Sequence, residues 1–144
     1  MRLRCIPWIH LTVLSCSSLA HAEAPPDRYT FPSAGVVYDT RTKLTWQLEL
    51  SGIGYTLEDA TTYCASLSLA GSGWRLPLIS ELLTLVDLTQ ENPAIDSKAF
   101  PNTPPGGFWA SPGSNQDHGW SVRFREGDSH ILGSGAQNFV RCVR

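Results

Sequence analysis

The chain has 144 residues, 42% hydrophobic and 17% charged, with 11 Lys and Arg against 13 Asp and Glu for a formal net charge of −2. Such a balance belongs to one globular domain with a single core and excludes a disordered chain. No basic cluster occurs, which excludes a nucleic-acid binder and strong non-specific attraction to polyanions.

Arg2 and Arg4 make a short basic start, Ile6 to Leu19 are mostly apolar, and Ala20-His21-Ala22 is a small-x-small site before Glu23. This three-part order resembles a Sec signal peptide over residues 1–22, cleaved after Ala22, and predicts export to the periplasm or the medium. The apolar run is shorter than the roughly 20 residues a bilayer needs, and Pro7, His10 and several serines dilute it, so no membrane span is expected. The alternative is a lipoprotein anchored at Cys16, although Leu14 fits a lipobox poorly.

Cleavage removes Cys5 and Cys16 and leaves Cys64 and Cys142, in a mature chain with 9 Lys and Arg against 13 Asp and Glu, a formal net of −4. Two cysteines in an oxidising compartment point to one disulfide, with a pair of buried free thiols as the alternative. Closing a loop of nearly eighty residues stabilises by roughly 4 to 5 kcal/mol on chain-entropy grounds.

Glu23 to Asp27 (EAPPD) form a flexible lead-in through residue 28, and the domain, residues 29–144, begins near Tyr29. Val36-Val37-Tyr38 and Leu44 to Gln47 are β-prone runs around the polar stretch Asp39 to Lys43, the pattern of a hairpin with Trp46 as a core anchor. A helix starts at Thr56 as N-cap, with acidic Glu58 and Asp59 in its first turn. Leu57, Ala60, Cys64 and Leu67 form its buried stripe, and Gly71 and Gly73 stop it. A second helix follows Pro77, with Ile79, Leu82, Leu83 and Val86 as its apolar face. The glycines, Trp74, Leu76 and Pro77 make GSGWRLP a scaffold junction in which Arg75 satisfies loop carbonyls or carboxylates. From Thr89 to Gly107 turn signals dominate and a long loop is expected. Strands return at Phe108 to Ser111 and Trp120 to Phe124; Glu126-Gly127-Asp128 turns the chain toward Ser129 to Leu132. Phe139 to Val143 is the last strand.

The pieces VVYDTRTKLTWQ, TLEDATTYCASLSLAG, GWRLPLISELLTLVD, FPNTPPGGFWAS, GWSVRFREG and NFVRCVR occur in this order over nearly all of the mature chain. Their ordered set resembles the family of bacterial exported domains of uncharacterised function found at the C-terminus of a Legionella collagen-like adhesin. That family's fold is similar to C-type lectin-like and formylglycine-generating-enzyme-like domains. The resemblance implies an α+β, C-type lectin-like domain: two helices packed on a small antiparallel sheet that joins N- and C-terminal strands, a long irregular loop region, and a disulfide from the first helix to the last strand. Two departures stand out. Leu78 replaces the Thr of a Thr-x-x-Glu capping box, a loss of about 1 kcal/mol, and Lys43 stands where the hairpin turn often has Gly.

Site chemistry is sparse. A lectin-type calcium site needs converging oxygen ligands, yet the relevant loop reads Phe100-Pro101-Asn102 and no Trp-Asn-Asp follows. No cofactor, metal site or catalytic group is indicated. His118 and His130 lack a nucleophile-elbow Gly-x-Ser-x-Gly, and a formylglycine-type enzyme would need reactive cysteines. The binding candidates are Asn102, Phe108 and Trp109 on the loop from Asn102 to Ser114, with Arg123, Arg125, Arg141 and Arg144 as an anionic-glycan patch if their strands are neighbours. Against this stand a fully core role for the four indoles and ordinary solvated faces for the arginines. The expectation is an exported, non-enzymatic module that binds an extracellular or envelope glycan or protein; the alternatives are a divergent formylglycine-generating-type enzyme and a structural part of an envelope assembly.

The intact mass of the exported protein is expected to begin at Glu23. Under denaturing, non-reducing conditions no free thiol is expected, and two after reduction; two before reduction would exclude the bridge.

Overall fold

Tyr29–Thr30 (β1), Val36–Asp39 (β2) and Thr45–Gln47 (β3) form the first antiparallel sheet, in that order, in a computed structural model that describes residues 26–111 and 117–144. The expected signal peptide, Cys5, Cys16, the start of the lead-in and residues 112–116 of the loop region lie outside the described residues. Val37 opposite Trp46 and Tyr38 opposite Thr45 give the expected hairpin. β-branched and aromatic residues suit such half-buried pleats, and Trp46 is fully buried. Lys43 takes φ 65°, the left-handed region that favours glycine.

The carboxylate of Asp39 organises this hairpin. Its Oδ1 accepts from the Arg41 N–H at 2.9 Å, and Arg28 grips both oxygens at 3.1 and 2.7 Å while also donating to Thr84 O at 2.8 Å. Burial raises the Asp39 carboxyl, but the Arg28 guanidinium and the Arg41 N–H overcome this and hold it below the ordinary carboxylate value.

Leu57–Ser66 (α1) starts as expected, with the Asp59 N–H donating to Thr56 Oγ1 at 3.2 Å and Leu57, Ala60 and Cys64 buried. It stops at Ser66 rather than at Gly71. Leu67 is extended at ψ 136°, and the chain turns back so that the carbonyls of Leu69 and Gly71 accept from Trp74 Nε1 at 3.0 and 3.2 Å. The loop carbonyls beyond Ser66 are thus taken by the nearby Trp74 indole rather than by a further helical turn.

Ile79–Leu83 (α2) is one short helix following Pro77. Its cap is half of a capping box: the Leu78 N–H donates to Glu81 Oε2 at 2.8 Å, while the Leu78 side chain has no acceptor to return. The expected stripe is corrected at one position. Leu83 is 38% exposed, and Leu85, past the helix end, is buried beside Leu82.

Gly107–Trp109 (β4), His118–Arg123 (β5) and Asp128–Gly133 (β6) form a second antiparallel sheet in that order. The described residues therefore hold two small sheets where one was expected. Trp109, Ser121 and His130 share one row across it, and Phe108, Val122 and Ser129 the next. Helix α1 reaches the Trp109 face through Leu57, over a glycine. A Cβ at Gly119 would lie 2.9 Å from Leu57 Cδ2 and 3.0 Å from Trp109 Cζ3, so only a bare backbone permits that approach.

The expected last strand is an extended tie that changes partners. Phe139 donates its N–H to Gly107 O and accepts from the Trp109 N–H, beside β4. Cys142 O accepts from the Gln47 N–H, and Arg144 exchanges both backbone bonds with Thr45, beside β3; Val143 exchanges both with Arg75 on the other side. No continuous ladder forms because its partner switches from one sheet to the other. Cys142 is bonded to Cys64 across 78 residues, the Cα atoms 5.4 Å apart, which ties α1 to the same segment.

Two core clusters result. One holds Val37, Trp46, Leu82, Leu85, Ile95, Phe100, Phe108, Val122, Phe124 and Val143; the other surrounds the disulfide with Leu57, Ala60, Trp74, Trp109 and Val140. The region from Thr89 to Gly107 is irregular as expected, yet Ala94, Ile95, Ala99 and Phe100 within it are buried. No helix among the described residues is long and apolar enough to cross a membrane.

Three measurements check this fold. Lys43→Gly is expected to stabilise by up to about 1 kcal/mol in denaturant unfolding, since it relieves the left-handed backbone. Replacing both cysteines by serine is expected to cost about 4 kcal/mol. The Asp39 carboxyl is depressed in the fold, so its contribution is fully present above the ordinary carboxylate value near pH ~4 and is lost as pH falls below it; Asp39→Asn should flatten that part of the stability profile.

Candidate functional site

The sequence offered a loop edge with aromatics and arginines, and the structure separates them. Phe108 and Trp109 lie on opposite faces of β4 and are both fully buried. Phe108 packs on Phe124 and Phe139 with ring centroids 5.1 and 5.6 Å away, and Trp109 Nε1 donates to Tyr55 O at 2.7 Å. Neither presents surface to a ligand, which corrects their placement as contacts. Trp46 and Trp74 are also buried, and Trp120 is half-buried against the first cluster.

Arg141 is the larger correction, because it is 0% exposed. Its Nη1 donates to Gln47 O at 2.7 Å and Leu48 O at 2.9 Å, and its Nη2 to Thr103 Oγ1 at 2.8 Å. The guanidinium lies 4.7 Å from the Phe100 ring centroid and 5.9 Å from that of Phe108, distances at which an aromatic face attracts a cation. Burial pushes it down to about 9, with Glu49 acting the other way, so it remains a cation at neutral pH. It serves the interior instead of a surface patch.

What Arg141 holds is the loop itself. Thr103 Oγ1 accepts from Arg141 and donates to Phe100 O at 2.8 Å, closing the turn through Asn102. Asn102 sits exposed at its outer edge with φ 59°, a conformation asparagine tolerates better than most residues. The loop from Phe100 to Gly106 thus has a buried anchor beneath and an exposed polar tip above. Sequence reasoning placed Arg141 on a strand and gave it to solvent by alternation; the two facing aromatics that take it inward are far away in sequence.

The other arginines scatter. Arg123 is bound bidentately by Asp128 across the β5–β6 pair, with Glu126 at 3.8 Å, so its charge is neutralised where it stands. Arg125 is exposed beyond β5. Arg144 lies over the Trp74 ring at 5.1 Å and donates to Ala70 O at 2.8 Å. Arg75 chelates Glu81 with two bonds of 2.7 Å, the scaffold role expected of it, and the guanidinium holds the Glu81 carboxyl below its ordinary value. Arg123, Arg75 and Arg144 are thus each engaged by a partner of their own.

Ser121 and His130 are cross-strand neighbours, and Ser121 Oγ and Asn138 Oδ1 both crowd the space above Gly107. A serine nucleophile needs its hydroxyl hydrogen-bonded to a base. Here Ser121 Oγ and His130 Nδ1 are each enclosed without a hydrogen-bond partner among the described residues, so the two are not bonded to each other. Among the described residues no group of three or more His, Cys, Asp or Glu stands close enough to hold a metal ion.

The model of the family described as the Lcl C-terminal domain matches residues 35–144. No curated protein matches the chain.

Arg141→Met keeps bulk and removes the donors. It is expected to destabilise by about 3 kcal/mol in denaturant unfolding, because the Thr103 hydroxyl and the Gln47 and Leu48 carbonyls lose their charged partner; a loss below about 1 kcal/mol would remove the anchoring role.

Proposed function

The chain belongs to the Lcl C-terminal domain family, and from that premise we propose that it is an exported, non-catalytic, adhesin-like module of C-type lectin-like fold. It recognises a glycan or protein outside the cytoplasm through the loop from Phe100 to Gly106. The observation that carries this is the buried Arg141 guanidinium holding that loop from below while Asn102 stays exposed. A loop fixed in one conformation before binding loses less entropy on association than a mobile one. The disulfide supports export, since such bonds persist in oxidising compartments. It also occupies both cysteines of the domain, where a formylglycine-type enzyme would need reactive thiols.

The mature protein on a glycan array, with and without chelator, tests this reading. Binding is expected to be insensitive to chelator, because the loop offers no carboxylate. Asn102→Gly, which keeps the left-handed backbone and removes the amide, is expected to weaken it about tenfold, or roughly 1.4 kcal/mol. Binding that needs a divalent cation, or that ignores Asn102, would overturn the loop assignment.

A further inference from the structure

The first sheet is bounded by β1 and β3, the second by β4 and β6. The C-terminal tie closes the outer sides of two of these strands, β4 at Phe139 and β3 at Cys142 and Arg144. That leaves β1, with 2 residues, and β6, with 6. The backbone bonds of β5 fix which way β6 points. Trp120 O accepts from the Ala110 N–H and the Phe124 N–H donates to Gly106 O, so Trp120, Val122 and Phe124 turn their backbone groups toward β4. Gly119, Ser121 and Arg123, which alternate with them, turn theirs toward β6. Their partners Leu132, His130 and Asp128 therefore bond within the sheet, and Ser129, Ile131 and Gly133 point their N–H and C=O groups outward. Apart from a turn bond from the Ala136 N–H to Gly133 O, no backbone bond among the described residues takes these groups up. All three residues are exposed, Ile131 by 55%, and a Cβ at Gly133 would meet nothing within 4 Å.

We propose that β6 is a self-pairing edge: two copies of the chain join antiparallel along it, about a two-fold axis at Ile131, so that their second sheets become one. Natural edge strands are protected from such pairing by Lys, Pro or a bulge. β6 reads Asp-Ser-His-Ile-Leu-Gly, its register against β5 runs without a bulge, and its one carboxylate is taken up by Arg123. Self-complementarity selects a second copy as the occupant. With Ile131 opposite itself, the copies exchange backbone bonds there and again between Ser129 and Gly133, so all three outward residues find partners in one register. The same register lays the two exposed Ile131 side chains beside each other on one face, where β-branched pairs are favourable. Asp128 falls opposite Ser134 of the second copy, so no like charges meet across the pair.

The pairing is independent of what the loop from Phe100 to Gly106 binds, and its failure would leave that reading standing. The mature, oxidised protein is expected to pass from monomer to dimer in sedimentation equilibrium at concentrations up to about 1 mM, a range that registers even weak association. Isotope-filtered NMR on a mixed-label sample is expected to show contacts between His130 Hα and Leu132 Hα of the second copy, the close pairs of this register. Ile131→Lys sets two cations opposite each other and is expected to weaken the dimer about tenfold. Ser129→Pro removes an outward N–H, which an edge strand tolerates, and is expected to act in the same direction. Phe31→Lys, at a residue equally exposed at 55% beside β1, is expected to leave the dimer unchanged. A monomer throughout the range, with or without a peptide from another protein on the edge, overturns the self-pairing. So does a dimer that Ile131→Lys and Ser129→Pro leave intact, one that Phe31→Lys disrupts equally, or assembly beyond two copies.

Discussion

Arg141 is a cation enclosed in the protein with no carboxylate partner among the described residues, and three segments take their positions from it. Removing a guanidinium from water costs several kcal/mol, which only good geometry offsets. Here two carbonyls of the Gln47–Leu48 strand end, the Thr103 hydroxyl and the faces of Phe100 and Phe108 provide it. Because these groups come from the end of β3, the long loop and β4, the first core cluster forms around the charge carried in by the C-terminal tie. A neutral residue of similar volume would leave the carbonyls and hydroxyl without their donor.

The C-terminal tie extends this constraint to the rest of the molecule. It lies against β4 at Phe139 and against β3 at Cys142 and Arg144, while Val143 pairs with Arg75. Each small sheet has only three strands, at the lower limit of what is independently stable. The disulfide then fixes α1 to the same segment. Packing of Leu57 over Gly119 brings that helix onto the second sheet, so the short elements become one body.

The cysteines, three indoles and Arg141 are committed to the interior. Arg123, Arg75 and Arg144 hold their own partners, while Asn102 is exposed and Tyr55 and Tyr63 are half-buried. The loop is fixed from within through Thr103, and Tyr63 through Gln47. Rigid support beneath an exposed contact is what a preformed binding surface requires.

Local signals were legible in the sequence. Thr56 capping α1, the Val36–Gln47 hairpin and the Cys64–Cys142 pair follow from short-range pattern or simple counting; the turn at Lys43 comes from the family resemblance, and the scaffold role of Arg75 is expected without Glu81 being named as its partner. The end of α1 at Ser66, the exposure of Leu83, the splitting of one sheet into two and the burial of Arg141 do not follow in this way. The burial of Arg141 depends on partners brought from far along the chain, Gln47, Thr103 and Phe100, and Arg144 reaches the Ala70 carbonyl after α1 in the same way. Sequence alone determined which segments fold and which cysteines remain to be joined, because those depend on neighbours and composition. Only the tertiary structure decided which side chains face solvent, because a cation or an indole is buried or exposed according to the hydrogen-bond acceptors and rings that distant segments place around it.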